Sequence, residues 1–152
     1  MDSNFKEFLS LLNTHKVKYV IVGAYALGCY TEPRFTNDLD IYTHPDINNV
    51  KRLGYALMDF GFDVSRVDFS LFLSGNEILR IGSPPVRIDI LPKITGITWD
   101  EVWKNKKTGS IGIAPPVRVY FIGKKQLIKN KRATKRPKDL RDVQQLEDED
   151  KV

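Results

Sequence analysis

"VGAYALGCYTEPRFTNDLDIYT", residues 22–43, is the stretch whose reading decides the fold. An apolar run, "KYVIV" (18–22), reads as a buried strand that ends at Gly23. The chain then turns directly into a short apolar helix, "AYALGCY", crosses a loop, "TEPRFTN", and starts a second strand, "DLDIYT" (38–43). Alternate side chains of a strand share a face. Asp38 and Asp40 therefore point the same way, while Leu39 and Ile41 point into the core. A strand that only packs has no use for two carboxylates on one face.

The flanking sequence supplies the remaining elements. "SNFKEFLSLLNTH" places Phe5, Phe8, Leu9, Leu11 and Leu12 at helical spacing, with Ser3 as its expected cap. "PDINNVKRLGYALMDFGF" opens with Pro45 and Asp46 and stops at Gly61, the pattern of a second long helix. "FSLFLS" and "EILRIG" read as strands, followed by a turn at "SPP" and the strand "VRIDIL" (86–91). "TWDEVWKNK" predicts a short helix capped by Thr98, and "VRVYFIG" a late strand. "KKQLIKNKRA" and "PKDLRDVQQLE" predict two closing helices, the second with Pro137 in its first turn. The fold class is α/β or α+β, a mixed sheet flanked by helices. With no repeat or linker, residues 1–152 read as one domain.

Composition excludes several classes. Hydrophobic residues at 41% and charged residues at 28% are those of an ordinary soluble protein. Cys29 is the only cysteine, so no intrachain disulfide forms, which favours a reducing compartment. The start lacks the basic and apolar regions of a signal peptide, and "YVIVGAYALGCY" is too short to cross a bilayer. The expectation is a cytoplasmic protein without a membrane span.

The net charge of +5 is unevenly spread. Residues 1–122 carry 14 basic and 13 acidic side chains, whereas residues 123–141 carry nine basic ones and only Asp139 against them. Such a block steers polyanions or is simply a solvated helix face.

"VRIDIL" repeats the design of "DLDIYT": Ile88 and Ile90 face the core and Asp89 faces away. If the two strands are neighbours, Asp38, Asp40 and Asp89 converge on one patch. Like charges at 4 Å repel by about 4 kcal/mol at an effective dielectric of about 20. A proton or a cation must offset that repulsion. Three hard oxygen ligands with open positions suit Mg²⁺, and a metal pair in such a site assists an in-line displacement. Gly23, where a strand turns into a helix, presents backbone N–H groups to an anion.

Together, "VGAYAL", "RFTNDLDIY" and "RIDIL" resemble the minimal nucleotidyltransferases of the DNA-polymerase-β-like superfamily, nearest the bacterial and archaeal group that includes the AbiEii-type toxin enzymes. "GSPPVRIDILPKITGITWDEVWKNK" and "LIKNKRATKRPKDLRDVQQL" resemble the middle and end of those domains, so the likeness spans about residues 5 to 147. The resemblance implies a nucleotidyltransferase fold in which Asp38, Asp40 and Asp89 bind two Mg²⁺, with Mn²⁺ as an alternative, and Gly23 begins the nucleotide-phosphate turn. Ala24 departs from the pattern, standing where many relatives have Ser or Gly, so a phosphate-binding hydroxyl is missing. Arg34 and Thr36 match the Arg-x-Thr that often precedes the acidic pair; Arg34 contacts phosphate or pairs with Glu32. Lys129 matches a lysine common in the closing helices, facing triphosphate or solvent. Lys138 and Asp139 match the end of that pattern and read as a helix start.

Other chemistry-bearing residues have structural readings. His15 and His44 have no partners at metal spacing, and Cys29 is expected to pack in the core. Trp99 and Trp103, at i and i+4, pack together or stack on bases. No P-loop, Rossmann fingerprint or Ser/His/Asp set is present.

Two functions remain. One is a metal-dependent enzyme moving a nucleoside monophosphate from an NTP to a hydroxyl or phosphate acceptor on RNA, protein or a small molecule, with Asp89 helping to deprotonate the attacking hydroxyl. The other is a non-catalytic module of the same fold, binding RNA or a partner protein through the basic closing helices. A toxin or antitoxin role is fold-level analogy.

Overall fold

Asp2 opens the first helix, its side chain accepting the Asn4 N–H at 2.7 Å, one residue before the expected cap Ser3. The computed structural model describes residues 1–33 and 35–149; Arg34, a candidate phosphate contact, lies outside the described residues. Helix α1 (Ser3–Thr14) leads into β1 (Tyr19–Val22), which passes without a loop into α2 (Gly23–Leu27). Strand β2 (Asp38–Thr43) and helix α3 (Ile47–Asp59) follow, the helix capped by Asp46, which accepts from Asn48 and Asn49. Then come α4 (Phe69–Leu73), β3 (Leu79–Ser83), β4 (Val86–Leu91), α5 (Trp99–Lys104), β5 (Lys107–Ile111), β6 (Val117–Phe121), α6 (Lys124–Thr134) and α7 (Pro137–Glu149).

The six strands form one mixed sheet in the order β3-β4-β2-β1-β6-β5. β1 is antiparallel to β2 and parallel to β6; β2 is parallel to β4; β3 and β5 run antiparallel along the two edges. All four residues of β1 are buried, as a central strand covered on both faces requires. Leu39, Ile41, Ile88 and Ile90 join Phe8, Leu9 and Leu12 of α1 and Val50, Leu53 and Leu57 of α3 in one core. Asn49 is fully buried. Its amide donates to Lys18 O and His44 O and accepts from Lys18 N–H, tying the start of β1 to the end of β2.

Three expectations are corrected. "FSLFLS" is α4 rather than a strand: Phe69, Leu71 and Leu73 alternate, yet Phe72 is the fully buried residue, with Phe69 and Leu73 packed beside it at helical spacing. Asp68 caps this helix by accepting from Ser70 and Leu71. β5 is an addition to the expected strands, because "KTGSI" has no apolar alternation and gains its strand form from pairing with β6. Cys29 is exposed rather than in the core; it follows α2 and its Sγ lies 3.6 Å from Tyr25 O.

Trp99 and Trp103 are packing residues. They stack on each other with centroids 5.5 Å apart, and Trp99 meets the edge of Tyr42 at 5.0 Å. Tyr42 shares its sheet face with Asp40, so α5 covers part of that face. His15 pairs with Asp59 at 2.6 Å. No helix among the described residues is long and apolar enough to cross a membrane.

Candidate active site

Strand register builds the site. In the parallel β2–β4 pair Asp40 stands opposite Asp89, and Asp38 opposite Arg87. In the antiparallel β3–β4 pair Arg80 stands opposite Asp89. Because directly paired residues share a face, Asp38, Asp40, Asp89, Arg87 and Arg80 occupy one side of the sheet. The three carboxylates are thus neighbours, as strand alternation predicts.

Arginine provides much of the compensating charge. Arg87 Nη2 donates to Asp38 Oδ2 at 2.8 Å and lies 3.5 Å from Asp89 Oδ2. Arg80 grips Asp89 with two nitrogens, Nε at 2.9 Å and Nη2 at 3.3 Å, the strong bidentate form of a guanidinium–carboxylate pair. Among the described residues nothing hydrogen-bonds to the Asp40 carboxylate. Burial, then the like charges of Asp89 and Asp38, push its carboxyl up to about 6; Arg87 and Lys131 oppose this. Among the described residues, the buried Asp38 Oδ1 has no hydrogen-bond partner.

Gly23 is required by Asp40. Its φ is +67°, where a side chain is strained. A Cβ built there would also collide with Oδ2 of Asp40 and stand 3.0 Å from its Cγ. The turn thus lets the backbone lie directly against the carboxylate. Ala24, Thr36, Asp38 and Asp40 line a cleft of about 260 Å³ with Gly23. Thr36 Oγ1 exchanges 3.2 Å hydrogen bonds with the backbone N–H and C=O of Asp38, so it orients that residue.

The opposite wall comes from α6, α7 and the residues between them: Lys131, Arg136, Lys138, Asp139 and Asp142. Lys131 is buried, with Nζ 3.0 Å from Asp142 Oδ2 and 3.4 Å from Asp139 Oδ1. Asp139 also accepts from Thr134 Oγ1 at 2.7 Å and from Arg136 Nε at 2.8 Å. These bonds lower the Asp139 carboxyl against the desolvation that raises it. Lys129, the lysine favoured from sequence, is not brought to this cleft; it pairs with Glu101 on α5 at 2.7 Å.

Sequence reasoning therefore missed Arg80, Arg87 and Asp142, and it counted Lys131 only as one cation of the basic block. Arg87 carried a usable signal, since it lies two residues before Asp89 and must share its face.

Chemically, the cleft faces Asp38 and Asp40 with a wall of three cations and two carboxylates, Asp139 and Asp142. Among the described residues no three His, Cys, Asp or Glu side chains form a group that could hold a metal ion as they stand; Asp38 and Asp89 are turned onto Arg87 and Arg80. In comparisons with known proteins, no family model matches the chain and no curated protein matches it.

Proposed function

We propose that the protein is a metal-dependent nucleotidyltransferase, moving a nucleoside monophosphate from an NTP to a hydroxyl or phosphate acceptor. The observation that carries the reading is the register of β2 against β4, which aligns Asp38, Asp40 and Asp89 on one face, with Asp38 and Asp40 lining a cleft whose far wall carries Lys131, Arg136 and Lys138 beside Asp139 and Asp142. The resemblance of "RFTNDLDIY" and "RIDIL" to the polymerase-β-like pattern agrees with it.

The residues fit Mg²⁺ unevenly. Among the described residues Asp38 has a buried oxygen without a hydrogen-bond partner, and burial with the like charges of Asp89 and Asp38 raises the Asp40 carboxyl. Both are hard donors of the kind Mg²⁺ takes. Asp89 completes the set once Arg80, whose side chain is 57% exposed, and Arg87, which also holds Asp38, release it. Bound by these three carboxylates, two Mg²⁺ (or Mn²⁺) would neutralise the triphosphate and the departing pyrophosphate.

Lys138 and, on leaving Asp139, the exposed Arg136 would bind and orient phosphate oxygens from the opposite wall, while buried Lys131 holds Asp139 and Asp142 in place. Thr36 keeps Asp38 in place through its backbone. The proton of the attacking hydroxyl is expected to pass to a carboxylate of this set, Asp89 in the sequence reading, which two guanidiniums hold before a metal binds.

The test is incubation with each labelled NTP, Mg²⁺ or Mn²⁺, and total RNA or cell lysate. Transfer of the monophosphate with release of pyrophosphate is expected. Asp38→Ala, Asp40→Ala and Asp89→Ala should each lose several orders of magnitude in rate. A double change should lose little more, since the residues act as a unit. Absence of labelling with all four NTPs in both metals overturns the reading.

One observation favours a second reading, a non-catalytic module that binds RNA or a partner protein. Arg80 and Arg87 already neutralise Asp89 and Asp38 without a metal. Against it, Lys129, Lys131, Arg132 and Arg136 of the basic block are paired with acidic side chains of this chain, which lowers what the block offers a polyanion.

A further inference from the structure

Beside the charged cleft lies a second cavity, of about 400 Å³. Phe35 and Thr36 line both, so the two spaces adjoin at that pair. Their chemistry differs sharply. Carboxylates, lysines and an arginine wall the first; Phe5, Tyr25 and Pro85 wall the second, with Asp2 beside them.

Phe35 is 86% exposed, in a fold that buries Phe5, Phe8 and Phe72 almost completely. An aromatic ring left in water at the junction of an ionic cleft and an aromatic cavity is a ready stacking surface. The cavity's other aromatic wall is fixed. Tyr25 meets Phe5 edge-on, centroids 5.9 Å apart and planes at 84°.

We propose that this second cavity receives the base of the nucleotide whose triphosphate enters the charged cleft, with Phe35 stacked on the base. The proposal rests on the nucleotidyl-transfer reading above and adds how the nucleotide is recognised. The Thr36 hydroxyl is committed to the Asp38 backbone and Asp2 Oδ1 to the Asn4 N–H, while Asp2 Oδ2 and the Tyr25 hydroxyl also belong to lining residues. Stacking on Phe35 supplies the part of recognition common to all bases, since every base offers a π-face.

The test uses the fluorescent analogue 2-aminopurine riboside triphosphate with Mg²⁺, alongside inorganic tripolyphosphate, on the full chain and on Phe35→Ala and Phe35→Trp. Phe35 is so exposed that neither substitution threatens the fold. Stacking predicts quenched emission with the unaltered chain and with Phe35→Trp. Phe35→Ala should lose the quench and bind roughly tenfold more weakly, while tripolyphosphate binds all three alike. Unchanged affinity and quench in Phe35→Ala overturns the base site while leaving the triphosphate cleft standing. Failure of both the nucleotide and tripolyphosphate to bind the unaltered chain overturns the site and the transfer reading together.

Discussion

Gly23 and Asp40 stand so close across β1 and β2 that any side chain on residue 23 would overlap the Asp40 carboxylate. The glycine also holds φ at +67°. Gly23→Ala therefore meets two costs, about 1–2 kcal/mol for the left-handed backbone and the collision. Urea unfolding at pH 7 should show a loss of roughly 2–4 kcal/mol. Adding Asp40→Ala should return the collision part alone, giving a coupling of about 1 kcal/mol or more. Additive effects would mean that the carboxylate moves aside freely.

Asp40 makes stability depend on pH in a defined direction. Its folded value of about 6 stands above the ordinary 3.8. Its contribution is fully present below about pH 4 and is lost as pH rises through 6. A carboxyl raised that far loses up to about 3 kcal/mol across the window. Asp40→Asn should match the unaltered chain near pH 3.5 and exceed it at pH 7. An equal gain at both pH values would assign the effect to something other than ionisation.

Arg80 competes with any cation for Asp89. Mn²⁺ should raise the melting temperature by mass action, and Arg80→Ala should enlarge that shift by releasing the carboxylate. Asp40→Asn should diminish it. A shift in Arg80→Ala no larger than in the unaltered chain would place the metal away from Asp89.

Two lysines of α6, two residues apart, should behave very differently. Lys131→Met removes the buried cation that Asp139 and Asp142 share, while Asp139 keeps its bonds from Thr134 and Arg136, and should cost about 1–3 kcal/mol. Asp142→Asn in the same chain should recover part of it. Lys129→Met breaks an exposed pair with Glu101 and should cost less than about 1 kcal/mol. Thermal or urea unfolding of the three variants decides the matter.

These lysines also show where sequence legibility ends. Strand alternation put Asp38, Asp40 and Asp89 on one face because a period of two leaves no other choice. Helix α6 has cations at Lys124, Lys125, Lys129, Lys131 and Arg132, and which of them faces the sheet depends on how the helix is rotated. Residues 129 and 131 lie about 200° apart around the axis, so choosing the wrong one selects the opposite face. Packing of α6 on α7 sets that rotation, and the one local cue is Leu127, fully buried one turn before Lys131. Arg80 was hidden differently: its meeting with Asp89 depends on the β3–β4 register, which the short "SPP" turn did not disclose. Within α4 the misleading cue was real, since Phe69, Leu71 and Leu73 do alternate; burial of Phe72 overrode it.

The neighbour of β1 on its second side is β6, joined at Ile21↔Phe121 and continued by the Ile122 N–H to Ile21 O. The Tyr30 hydroxyl also reaches Ile122 O, at 2.7 Å. About a hundred residues of chain thus separate the two halves of the sheet's central seam. On a ribosome, β1 can join β2 early, but its other edge stays unpaired until residues 117–122 have been made and have emerged. A buried, fully apolar strand with an open edge is a template for pairing with other chains. Completion of this sheet is a late event of biosynthesis, and nascent chains halted before that point are the form most exposed to aggregation and to chaperone capture.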